Sequence, residues 1–92
     1  MILILLHMAC LNIERFEKRY AADFCQYANE CEVLDLEGFS TMKACESEVT
    51  ILPEVCDELD QKQARKCLKK TSVMSCEDGQ SGQPKACNNL CG

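Results

Sequence analysis

The sequence predicts an all-α fold, a small disulfide-stapled bundle of three to five short helices. Three observations predict it. Nine cysteines stand among 92 residues, a density that marks a disulfide scaffold in a short chain. Apolar residues recur in steps of three and four, which gathers them on one side of a helix. Nowhere do apolar and polar residues alternate with the period of two that a half-buried strand requires.

Sulfur compensates for a thin supply of bulky side chains. The chain has no Trp, and Phe16, Tyr20, Phe24, Tyr27 and Phe39 are its aromatic residues. A domain of this size sits near the limit at which a hydrophobic core alone leaves net stability. Each disulfide restricts the unfolded chain and contributes roughly 2–4 kcal/mol.

The elements follow in chain order. The strongly apolar run Ile2 to Leu6, followed by His7, Met8, Ala9, Cys10 and Leu11, is too short to span a bilayer. Residues 1–11 read as an export signal, shortened at its start because no Lys or Arg precedes the run. Cys10 is the candidate for lipid attachment, although His7 and Met8 depart from a lipoprotein cleavage box. The competing reading makes residues 2–13 the first turns of a core helix. With Cys10 set aside, eight cysteines remain, the even number a closed framework requires.

Residues 12–92 read as a single cysteine-rich helical domain. Asn12 is a candidate N-cap, and Ile13, Phe16, Tyr20, Phe24, Tyr27 and Cys31 draw one stripe along an amphipathic helix. Cys25 and Cys31 point to different sides of that helix, so each should bond to a separate partner. Val33 to Phe39, with Gly38, reads as a connection closed by Ser40 or Thr41 as the next N-cap. Met42, Cys45, Val49 and Leu52 trace a second helical face. After Pro53, Val55, Cys56 and Leu59 continue it as a kinked extension or a short third helix. Asp60 and Gln63 resemble a capping box opening a helix with Ala64, Cys67 and Leu68 inward and an end near Lys70. Val73, Met74 and Cys76 form a short apolar cluster, and Glu77 to Gln83 reads as a loop. Pro84 suits the first turn of a last short helix in which Cys87, Leu90 and Cys91 share a face.

The even spacing of Cys45, Cys56 and Cys67 continues into Leu59-Asp60, Ala64, Cys67-Leu68, Ser75-Cys76, Pro84, Ala86-Cys87 and Cys91. With Phe24-Cys25 and Cys31, this order resembles the small cysteine-rich secreted proteins and lipoproteins found in many copies in predatory soil bacteria. The resemblance covers residues 24–91. It implies an exported or lipid-anchored helical domain with bridged cysteines, in a group without an established activity.

Several chemistries lack their parts. Metal sites and thiol redox centres want Cys-x-x-Cys pairs, and there are none. Cys87 and Cys91 could supply half a zinc site, but two disulfides to other helices account for them better. The single histidine, His7, lies in the signal segment, which leaves no base for a Ser-His-Asp or Cys-His nucleophile. Glu46 with Glu48 and Asp57 with Asp60 read as solvated surface rather than acid–base pairs. The segment Glu77 to Gln83 lacks the alternating ligands of a calcium loop. The expectation is therefore a protein that is not an enzyme, with no metal and no cofactor.

Charge is the remaining signal. Residues 1–60 hold thirteen acids against four bases, and residues 61–92 two acids against six bases. Lys62, Arg65, Lys66, Lys69 and Lys70 fall at helical spacing on one stripe suited to an anionic partner. The plainer account is a solvent face opposite Ala64, Cys67 and Leu68. A net charge of −5 disfavours nucleic acid. The expected function is an exported, non-catalytic structural or binding module of the cell envelope or secretome. Its expected partner is an unknown protein or an anionic envelope surface. The alternative is a secreted effector, a toxin or inhibitor, that acts through the Glu77 to Gln83 segment.

Overall fold

A computed structural model describes residues 11–91 of the chain. The apolar run from Ile2 to Leu6 and the lipid-attachment candidate Cys10 lie outside the described residues. Among the described residues, four α-helices and one 3-10 turn form a bundle: α1 (Ile13–Glu30), α2 (Met42–Glu48), α3 (Gln61–Ser72), α4 (Cys76–Gln80) and the 3-10 turn Lys85–Cys87. The expected all-α, disulfide-stapled architecture is the observed one, with no named strand among the described residues.

α1 is the spine. The Asn12 side chain accepts from the Arg15 amide at 2.7 Å and so satisfies one of the unpaired donors of the first turn. Phe16, Tyr20 and Phe24 follow at intervals of four and are all buried. Their rings form a row, Phe16 to Tyr20 with centroids 6.1 Å apart and Tyr20 to Phe24 with centroids 5.8 Å apart, and Tyr27 extends it. The helix ends in a Schellman motif: the Val33 amide donates to Ala28 O and the Glu32 amide to Asn29 O. Glu32 takes the left-handed conformation at φ 56°, where glycine is the usual residue.

Four disulfides tie the other elements to this spine and to each other. Cys25 bonds to Cys45, Cys31 to Cys76, Cys56 to Cys91 and Cys67 to Cys87. Cys25 and Cys31 thus hold two different partners, α2 and α4, as their directions on the helix require. Of the four largest fully buried side chains, Phe16, Cys25, Cys45 and Cys67, three are half-cystines. Sulfur therefore fills the centre as well as linking it. Ala64, Cys67 and Leu68 bring α3 onto α1 through its buried face.

Four stretches of the chain depart from the sequence expectation. α2 ends at Glu48, and Val49 is already extended at ψ 134°. The apolar spacing from Val49 to Leu59 therefore belongs to an irregular strap, not to a helix. Val49, Thr50 and Ile51 are β-branched, and Pro53 disfavours the helical conformation in the residue before it. Val55, expected on the inner face, is 77% exposed. The expected loop Glu77 to Gln83 begins instead as α4, opened by a capping box between Ser75 and Asp78. Glu77 and Asp78 lie in its first turn, where negative charge suits the helix dipole. α3 runs on to Ser72, past Lys70, and Val73 is 73% exposed rather than part of an apolar cluster.

The fourth such stretch is the C-terminal end. Cys87 closes the 3-10 turn, Asn88 is extended and Asn89 is left-handed at φ 56°. Cys87, Leu90 and Cys91 consequently do not share a helical face. Leu90 and Cys91 run against the strap: Leu59 and Cys91 form an isolated antiparallel bridge, and the Asp60 amide donates to Leu90 O at 2.7 Å. The Cys56–Cys91 disulfide secures the same junction. At the opposite end of the chain, the Gln61 amide group bonds both backbone groups of Leu11, at 2.9 and 2.6 Å.

Candidate functional site

The structure presents two surfaces, one anticipated from sequence and one not. The anticipated surface is the outer face of α3. Asp60 caps this helix by accepting from the Gln63 amide at 3.1 Å. Lys69 and Lys70 occupy the last turn, where cations complement the dipole. Lys62, Arg65, Lys66, Lys69 and Lys70 are all exposed, whereas Ala64, Cys67, Leu68 and Thr71 are buried. The two sets point to opposite sides of the cylinder. Buried Thr71 donates its hydroxyl to Cys67 O at 2.8 Å, so the inward face leaves this polar group satisfied. Cys67, bonded to Cys87, locks the rotation of the helix and with it the direction of the five cations.

The second surface is a cleft of about 370 Å³ formed where α1, the α1–α2 connection, the end of α2 and the α4 region meet. Tyr20, Phe24, Tyr27, Phe39 and Met74 supply its apolar lining, and Glu37 and Glu48 its charged groups. Tyr20 and Phe24 are buried, Tyr27, Phe39 and Met74 half-buried, and the two glutamates exposed. Aromatic residues thus line the interior, with carboxylates toward solvent. Burial, and then the negative charge of Glu37, push the Tyr20 phenol up to about 12, because both disfavour a phenolate.

Gly79 of α4 forms part of the same lining. A Cβ built at this position would collide with the phenol ring of Tyr27. With the Tyr27 ring in this position, α4 can approach α1 at this wall because residue 79 is a glycine, placed inside a helix against its ordinary propensity. The Cys31–Cys76 bridge holds α4 there, and Cys25–Cys45 holds α2 at the other side.

All eight cysteines among the described residues are consumed in disulfides and carry no thiolate to act as nucleophile or ligand. Among the described residues, no group of three or more His, Cys, Asp or Glu side chains is arranged to hold a metal ion. No helix among them is long and apolar enough to cross a membrane. Sets of disulfides of this kind are typical of proteins outside the reducing cytosol.

The aromatic row of α1 is visible in sequence as a core stripe, but nothing there marks Tyr20, Phe24 and Tyr27 as the lining of a cleft. Glu37, Phe39 and Glu48 give no local signal because only the tertiary fold brings them to Tyr20 and Tyr27. Compared with protein-family models, curated proteins and solved structures, the chain matches none.

Proposed function

We propose that this protein is an exported, non-catalytic binding module that lays the outer face of α3 against an anionic surface of the cell envelope. The observation that supports this reading is the set of five exposed cations on one side of a helix whose other side is fixed by a disulfide. Fixing the helix matters because a preoriented cationic face loses less conformational freedom on docking than a mobile one. A basic residue near an anionic membrane surface contributes about 1 kcal/mol, so five on one side suffice for reversible, salt-sensitive attachment. Kinship with the cysteine-rich secreted proteins and lipoproteins of predatory soil bacteria belongs to the same proposal. So does lipid attachment at Cys10, which would add a second anchor beside the basic face.

The test is co-sedimentation with vesicles of phosphatidylcholine containing phosphatidylglycerol, comparing wild type with Lys66→Glu plus Lys69→Glu. Both side chains are exposed, so the fold should persist. Wild type is expected to sediment with anionic vesicles and to be released by salt, and the variant to bind at least about tenfold more weakly. Equal binding by both proteins, or no binding of wild type to the anionic vesicles, would remove the α3 face from this role.

A further inference from the structure

The cleft differs from the α3 face in both lining and charge. Half-buried Tyr27 and Phe39, with Tyr20 and Phe24 buried, contribute four aromatic side chains, Glu37 and Glu48 contribute two exposed carboxylates, and no Lys, Arg or His is among the described lining residues. Aromatic rings attract cations through the negative faces of their π systems. Carboxylates at the solvent edge add a longer-range attraction. An apolar interior penalises a bare, strongly hydrated ion, because its water shell would be stripped without replacement. The combination favours a cation whose charge is covered by methyl groups.

From this lining we propose that the cleft binds a small organic cation of the methylated or quaternary ammonium class. Its volume of 370 Å³ lies at the small end of the range of ligand sites, about 300–1,000 Å³, and suits a molecule of a few heavy atoms beyond the ammonium group. The walls are preorganised by covalent bonds. Cys25 is the neighbour of Phe24 and is bonded to Cys45 of α2, the helix that ends at Glu48. Cys31 anchors α4, which holds Gly79 against Tyr27. This site is independent of the α3 face, since Thr71 is the α3 residue that lines it and lies on the buried side of that helix.

The experiment titrates the full, oxidised chain by NMR with choline and, separately, with dimethylbutanol, in which carbon replaces the charged nitrogen. Choline is expected to shift the Tyr27 and Phe39 ring signals saturably. Dimethylbutanol is expected to bind about tenfold more weakly or worse. Replacing both exposed carboxylates, Glu37→Gln plus Glu48→Gln, should weaken choline at least about fivefold and leave dimethylbutanol unchanged. Equal affinity for the two probes, a choline affinity indifferent to the double substitution, or no saturable shift with either probe would each overturn the assignment.

Discussion

Tyr20 is 2% exposed in the middle of the α1 aromatic row, and its phenol stays neutral up to about 12 because of burial first and Glu37 second. In the unfolded chain the same phenol ionises near its ordinary value of 10. Between those two values the unfolded state loses a proton that the folded state keeps. The stability Tyr20 contributes is therefore complete below pH 10 and is lost as the pH climbs toward 12. Its size is on the order of 2–3 kcal/mol. Phenolate absorbance of a Tyr27→Phe variant, in which Tyr20 is the remaining tyrosine, checks this. Ionisation near 12 in buffer and near 10 in concentrated urea is expected, and a folded titration near 10 would contradict it. At this scale the sequence is most legible where a side chain acts on its own neighbourhood. Asn12, Thr41 and Asp60 stand out in the sequence as N-cap candidates and each accepts the amide hydrogen three residues on, because capping is a contact across one turn. The perturbation of Tyr20 is not legible there, since the depth of its burial and the approach of Glu37 are both set by tertiary packing.

α4 shows how one element can be misread and what then holds it. Five residues containing a glycine, Cys-Glu-Asp-Gly-Gln, lack the length for helical periodicity to register. The legible clue is Ser75-x-x-Asp78, a reciprocal cap that satisfies two backbone donors in a helix scarcely longer than a turn. In an unobstructed helix, Gly79→Ala would stabilise by about 0.5–1 kcal/mol. Here the added methyl meets the Tyr27 ring, and we expect destabilisation by about 1–3 kcal/mol instead. The urea midpoint reports the sign, and repeating the substitution in a Tyr27→Ala background should restore the ordinary stabilising direction. A raised midpoint for Gly79→Ala alone would show that α4 does not press on α1 as described. The strap from Val49 to Asp60 misleads in the other direction. Its apolar spacing imitates a helix, but β-branched residues followed by Pro53 weigh against helical backbone whatever the spacing. α3 is legible to within two residues of its end, because twelve residues give the amphipathic pattern room to repeat.

For the molecule as a whole, the number of cross-links is legible in the sequence and their pattern is not. Eight cysteines imply a framework, but local spacing excludes only neighbours on the same helix, and pairing is decided by the fold. The observed pattern joins Cys25 to Cys45 and Cys67 to Cys87 across short intervals, and Cys31 to Cys76 and Cys56 to Cys91 across longer ones. Loops of 20 to 45 residues restrict the unfolded chain by about 3–4 kcal/mol each when considered singly. This is comparable to the net stability of a typical small domain. Each bridge also acts locally. Two seat α2 and α4 on α1, one seats α3 on the 3-10 turn, and one closes the C-terminal segment onto the strap. The acidic cleft and the cationic face of α3 inherit their geometry from that framework, so both proposed contacts depend on it. Non-reducing digestion of the natively isolated protein, with fragmentation of the linked peptides by mass spectrometry, tests the framework directly. Linkages 25–45, 31–76, 56–91 and 67–87 are expected. Free sulfhydryls at those eight positions, or any other pairing, would contradict the architecture.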